Sequence, residues 1–212
     1  FGAGRIGYRY ASGEVELNIG QPGLPENQFE TAQLYVRFSV DRLDDFEFPT
    51  QGGRGELEYA TSNDDIGSDD DFDQILFGGS RFVSVGQNTF GFVGAISATI
   101  DGQAPVQNRF RLGGFQKLSG YDQNSLSGQQ AAVISMQYYR RYEPLPIFSW
   151  YIGSSLEYGG VWEERDDIGS DGILSGSVFL GADTPIGPLY LGYGVAEQGR
   201  NAAFLYLGRP IN

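Results

Sequence analysis

The 212-residue sequence contains neither cysteine nor histidine. Without cysteine there are no disulfides, no thiol nucleophile and no thiolate metal site. Without histidine the usual general base and the commonest zinc ligand are missing, so Ser-His catalysis is excluded. Positive charge is scarce as well: 14 Lys+Arg stand against 27 Asp+Glu, a formal net charge of -13. Phosphate binding needs clustered Lys and Arg, so nucleic acid is excluded as a partner. No stretch approaches about 18 consecutive apolar residues, and the chain holds no candidate transmembrane helix. A membrane β-barrel stays open, because its strands alternate lipid-facing and lumen-facing residues. There is no Gly-x-Ser-x-Gly elbow, so a serine hydrolase of that kind would have to lie upstream. The sequence begins at Phe1 without Met or a signal peptide, which raises the expectation of a fragment or a processed product.

Glycine and aromatics are plentiful: 32 Gly, 13 Tyr and 15 Phe. The pairing fits glycine-relieved strands flanked by aromatic girdles, although a soluble β-sandwich could share it. Period-two alternation supplies the strands. Ile6, Tyr8 and Tyr10 alternate with Arg5, Gly7 and Arg9; a turn is expected at Ser12-Gly13, then a second strand through Val15, Leu17 and Ile19, then a Pro/Gly turn region over 21–28. Leu34, Val36, Phe38 and Val40 mark a strand long enough to cross a bilayer at a tilt. Further strands are marked by Leu57 and Tyr59; by Ile75, Phe77, Val83 and Val85, which share a face with Gly79 and Arg81; and by Phe90, Phe92 and Ile96. Others follow through Ile134, Met136 and Tyr138, through Trp150, Ile152, Leu156 and Tyr158, and through Leu174, Val178 and Leu180, with two last ones near Leu191 and Leu205. The pattern predicts about eleven to twelve strands and no helix. Long connections fall on one side, near Gln21, Asp65, Asp167 and Gln198, and short turns at Ser12, Pro49, Gln87, Pro144 and Pro185 on the other, as in bacterial outer-membrane barrels. That count puts Phe1 near the long-loop end and calls for at least one strand upstream of it.

Two stretches carry more than a pattern. The connection 108–128, NRFRLGGFQKLSGYDQNSLSG, is too long and polar for a tight hairpin, and connections of that length usually carry a function. Phe110-Arg111-Leu112-Gly113-Gly114 followed by Leu118-Ser119-Gly120-Tyr121 resembles the inward-folded loop of the BamA/TamA superfamily of outer-membrane barrels, the bacterial surface antigen family. Ser119 stands where that family carries the Arg of a lumenal ion pair. Asp41-Arg42-Leu43-Asp44-Asp45-Phe46-Glu47-Phe48-Pro49-Thr50-Gln51-Gly52 resembles the family's second signature, an Asp-rich strand end followed by Phe-Pro-Thr-x-Gly at a periplasmic turn. The Leu-Ser-Gly-Tyr form is most similar to barrels attached to patatin-like phospholipases in type V secretion.

The resemblance implies one all-β domain over residues 1–212: an antiparallel transmembrane β-barrel in the outer membrane of a Gram-negative bacterium, with a lumen-inserted loop over 101–128. The chain would form the later part of a barrel of about sixteen strands, assisting export or membrane insertion of an attached or client protein and not itself an enzyme. Implied partners are outer-membrane lipid and lipopolysaccharide, an upstream domain or client protein, and a second copy of the chain in a homodimer; no cofactor is implied. Phe110, Arg111, Gly113, Gly114, Ser119, Gly120 and Tyr121 are the loop residues carried over, and Asp41, Asp44, Phe48, Pro49 and Gly52 those of the turn.

Other groups have a plainer reading. Asp-Asp-Ile-Gly-Ser-Asp occurs twice, and Asp64, Asp65, Asp69, Asp166, Asp167 and Asp171 are oxygen ligands suited to Ca²⁺ or Mg²⁺; a solvated acidic loop is the plainer alternative. Asp41, Asp44 and Asp45 at a strand end read as turn carboxylates bonding nearby amides before they read as acid-base pairs. Arg5, Arg9, Arg37, Arg54, Glu56, Glu58, Arg141 and Glu157 are expected to line a polar interior and neutralise one another. A passive channel or a surface adhesin with cation-binding acidic loops is the alternative function.

Overall fold

The computed structural model describes residues 2–15, 27–145, 148–184 and 187–208. It is built from twelve strands: β1 (Gly2–Val15), β2 (Asn27–Asp41), β3 (Gly52–Ser62), β4 (Phe72–Val85), β5 (Asn88–Gly102), β6 (Phe110–Leu112), β7 (Leu126–Gly128), β8 (Gln130–Leu145), β9 (Phe148–Trp162), β10 (Ile173–Thr184), β11 (Gly187–Ala196) and β12 (Asn201–Leu207). Ten form a single antiparallel sheet in the order β1-β2-β3-β4-β5-β8-β9-β10-β11-β12, while β6 and β7 pair separately. Among the described residues β1 and β12 are the two edges of the sheet. Most wall strands have 10 to 16 residues, where about 9–11 suffice to cross a bilayer at a tilt.

The sheet buries the opposite face from a soluble one. Apolar residues of the alternating pattern are its exposed side: Ile6 at 83%, Phe92 at 61% and Leu205 at 72% exposure. Small and polar residues, Ser97, Thr99, Ser135, Ser155, Glu157, Ser175 and Ser177, are buried on the other. An apolar exterior and a polar interior is the arrangement that lipid outside and a lumen inside select. Inner-face rings account for much of the glycine. Phe82 lies opposite Gly91 and Phe179 opposite Gly153, and a Cβ at either glycine would collide with the facing ring. Removing that Cβ lets an aromatic side chain lie flat across its neighbour strand.

The alternation reads strand faces well and strand ends less well. Ser12-Gly13 makes no turn: β1 continues through it, with Ser12 opposite Glu30 and Gly13 opposite Phe29. Turn-forming composition loses there to an unbroken ladder with β2, and the missing Cβ of Gly13 accommodates the Phe29 ring. The strand expected through Val15, Leu17 and Ile19 therefore has only Val15 in β1, the other two residues lying outside the described set along with most of 21–28. Gly2 pairs with Val40, which places the start of β1 at the short-turn end of the sheet and not at the long-loop end. The parity argument for an upstream strand falls with that turn. The remaining connections keep their sides: 63–71, 103–129, 163–172 and 197–200 at one end, 42–51 and 86–87 at the other. Pro144, where a turn is expected, is the next-to-last residue of β8, while 146–147 and Pro185 lie outside the described residues.

Candidate functional site

The connection between β5 and β8 turns inward and lies against the inner face. Its short β6–β7 hairpin opens into a tip tied by Gly113 N–H to the Lys117 carbonyl at 2.9 Å and Gly114 N–H to the Tyr121 carbonyl at 3.0 Å. Gly113 and Gly114 have φ of 106° and 108°, a region that L side chains avoid. Leu118 adopts φ 74° without being glycine and is completely buried. Such a conformation persists only where its surroundings impose it.

What imposes it is Glu157, itself at 0% exposure. Its Oε2 accepts the Leu118 and Ser119 amides, each at 2.7 Å, and the Ser175 hydroxyl at 3.0 Å. Its Oε1 accepts the Ser119 hydroxyl at 2.7 Å and the Ser155 hydroxyl. Because Ser155 donates to the carboxylate, the 2.7 Å contact between Ser155 and Ser177 is a donation from Ser177. A buried carboxylate is tolerable when its lone pairs are filled, and five donors fill these. Ser119 therefore serves the loop without any ion pair, its hydroxyl also accepting the Gln116 amide at 2.8 Å. The approach is close: a Cβ on Gly120 would overlap Ala196, and one on Gly194 would overlap the Ser119 carbonyl.

The second motif meets the first. Over 42–51 the chain folds under the sheet, and Asp44 organises the turn by accepting the Thr50 and Gln51 amides at 2.9 Å each and the Thr50 hydroxyl. Asp41 accepts the Leu43 amide at 3.0 Å; Asp45 accepts those of Glu47 and Phe48, each at 2.8 Å. Gly52, at φ 101°, leads into β3. Phe48 is thereby driven inward, stacking on Tyr151 with centroids 3.8 Å apart and on Tyr190 at 4.9 Å. Tyr139 donates to the Pro49 carbonyl and Tyr190 to the Glu47 carbonyl at 2.9 Å. From the loop side Phe115 reaches Tyr190 at 5.9 Å and Phe204 at 5.8 Å. The two signatures, more than fifty residues apart in sequence, share one aromatic cluster.

Burial pulls the Asp44 carboxyl up, but the Thr50 hydroxyl and the Gln51 and Thr50 amides outweigh it and hold its pKa below the ordinary carboxylate value. A depressed folded-state pKa contributes stability above the unfolded pKa of about 3.9, and that contribution is lost as pH falls through the folded value. Hydrogen exchange of the Thr50 and Gln51 amides is expected to show full protection at pH 6 and loss of protection well below pH about 4. Asp44→Asn is expected to exchange fast at both; protection independent of pH in the parent chain would contradict this.

The other sequence candidates are placed as follows. Phe110 and Tyr121 pack on a cluster with Leu112, Leu118, Ala131 and Val133; the Arg200 guanidinium lies 4.8 Å from the Tyr121 ring centre. Arg111 is exposed and reaches the Val106 carbonyl at 3.3 Å. Glu58 binds Arg9 at 2.7 and 2.8 Å and also pairs with Arg37, so this part of the polar interior neutralises itself. Each repeated hexapeptide has a 3-10 turn near its start, at Asp64–Ile66 and at Arg165–Asp167, one residue out of register with each other, and each has a left-handed glycine at its fourth position, Gly67 and Gly169. Asp69 accepts the Glu30 amide at 2.7 Å. Among the described residues no group of three or more acidic side chains could hold a metal ion, so Asp64, Asp65, Asp69, Asp166, Asp167 and Asp171 are not gathered into a cation site. Glu157 as the loop's anchor and Gly194 as its seat have no local signature; only pairing across β9, β10 and β11 brings them to the tip.

An Omp85 superfamily domain matches residues 5–203. Over 202 residues, 83% of this chain, the sequence is 25% identical to the outer membrane protein assembly factor BamA of Nitratidesulfovibrio vulgaris. The fold is similar to that of the crystal structure of BamA from Haemophilus ducreyi lacking POTRA domains 1-3, with a TM-score of 0.68 and 15% identity over 88% of this chain. The chain spans 24% of the first of these proteins and 43% of the second.

Proposed function

The chain belongs to the Omp85 superfamily of Gram-negative outer-membrane barrels, and on that premise we propose that it is a translocator or anchor barrel. In this reading it assists the export or membrane insertion of an attached or client protein, most like the barrels that accompany patatin-like phospholipases in type V secretion. The work is non-covalent, and any lipase activity would reside in an upstream segment. The observation that carries the reading is the docking of the 103–129 connection on the inner wall through Glu157, together with the turn 42–51 that meets it at the Phe48–Tyr190–Phe115 cluster. Two inserted segments that share a core occupy lumen that a passive pore would leave open.

Depletion of the native full-length protein tests it. The expected result is loss of one surface or secreted product, with the rest of the outer-membrane proteome little changed; a general loss of barrel proteins would instead make it an assembly factor. In planar bilayers the full-length protein is expected to give small, unsteady currents. A large, steady conductance with an unchanged proteome would favour the channel reading.

A further inference from the structure

The outward face of the sheet is almost free of charge, and its ionisable groups are sorted by end. Glu30 and Asp73 lie next to the long connections, with Asp101 directly opposite Asp73. At the other end stand Arg81 and Arg140, the two outward cations on the described strands. Arg81 lies between inward Phe82 and outward Val83 and Phe77, opposite Phe92. Arg140 lies between inward Tyr139 and inward Arg141, the latter bonded to Ser149 at 2.9 Å, and is level with Asn88 at the β4–β5 hairpin.

Among the described residues neither guanidinium has an ion-pair partner. Arg81 is exposed and makes no hydrogen bond or ion pair with any described residue, while Arg140 has only the Tyr142 ring, 5.3 Å from its carbon. A lipid-facing Arg is costly at the bilayer midplane and tolerated near the interface. Arg81 is four residues before the end of β4, about 9 Å of depth for a strand tilted near 45°, so its side chain can extend to the interface while its stem stays in hydrocarbon. Between the two cations lie Phe90 and Tyr138, with ring centroids 5.3 Å apart, the aromatic belt that marks a membrane interface. A planar, permanently charged fork on that belt is suited to one class of group within reach, the phosphate of a lipid headgroup.

We propose that Arg81 and Arg140 form a binding patch for anionic phospholipid headgroups of the turn-side leaflet. The patch holds the barrel at a fixed depth, with acids toward the opposite leaflet. This rests on the membrane-spanning reading of the sheet. The test is native mass spectrometry of the full-length protein, released from detergent and titrated with phosphatidylglycerol or phosphatidylcholine. Phosphatidylglycerol is expected to be retained in preference to phosphatidylcholine, and the Arg81→Gln/Arg140→Gln variant to lose that preference roughly tenfold or more, as expected of two interfacial arginines. The variant's barrel is checked by heat-modifiable gel mobility, and Arg165→Gln, an outer-loop change that removes a single positive charge, is expected to leave the preference intact. Equal retention of the two lipids, or a preference unchanged in the double variant, would overturn the site while leaving the barrel reading standing. A protein that stays in solution without detergent and retains neither lipid would overturn both.

Discussion

Glu157→Ala is expected to release the lumenal loop from the wall. The carboxylate accepts five donors, all buried or nearly so, and alanine accepts none. The hydroxyls of Ser119, Ser155 and Ser175 can rotate toward one another or toward water. The Leu118 and Ser119 amides cannot, because the chain direction at the tip is fixed by the Gly113 and Gly114 bonds on either side. Two stranded amides at about 1–3 kcal/mol each give roughly 2–6 kcal/mol against the docked loop. Leu118 would then have no reason to keep its left-handed backbone, so relaxation of that conformer works in the same direction. The readout is limited trypsin digestion of the folded protein. Lys117, partly covered in the docked loop, is expected to be cut rapidly in the variant and slowly in the parent chain. Glu157→Gln retains one carbonyl acceptor but turns an amide toward the remaining donors, and is expected to fall between the two. Equal protection of Lys117 in all three chains would show that the carboxylate does not hold the loop.

Strand faces were legible throughout. The outward positions of β2, β5, β8, β9 and β11 follow directly from alternation, because lipid on one side and lumen on the other impose a strict period of two. Even Arg81 was legible as an outward residue, and its consequence lay in what surrounds it. Ser12-Gly13 misled because composition speaks only to local preference, whereas pairing with β2 over the whole of β1 is a sum of many bonds. The two signature stretches were recognisable by their residues, but their meeting was not. Phe48 and Phe115 come together only once β9, β10 and β11 curve between them, a long-range fact that neither stretch contains. By alternation alone Glu157 falls in with the lumenal arginines as one more charge to be neutralised. Its burial among serines, with amides in place of a cation, appears only when Ser135, Ser155, Ser175 and Ser177 are seen to share a face with it.

The serine at position 119 explains why the wall beside it has to be bare. A short side chain can reach the carboxylate only if the loop backbone itself comes down to the sheet, and it comes down on β11 at Gly194 and on its neighbour Ala196. A Cβ added at Gly194 would overlap the carbonyl carbon and oxygen and the Cβ of Ser119. Two of those atoms are backbone, so no rotamer change relieves the contact, and either the loop lifts or the strand bends. Gly194→Ala is therefore expected to displace the tip and lengthen the Glu157 bonds, with a cost of about 1–3 kcal/mol typical of overpacking. Gly194→Val is expected to undock the tip as fully as Glu157→Ala, and the two changes combined are expected to cost little more than either alone, since both remove the same contact. Gly192→Ala makes a useful comparison. There the atoms nearest the added Cβ belong to the Phe115 ring, at 3.0 Å and beyond, and a ring can shift where a carbonyl cannot, so Lys117 is expected to stay protected. If Gly192→Ala opened the loop and Gly194→Val did not, the seat of the tip would be the aromatic cluster and not the Ser119 backbone.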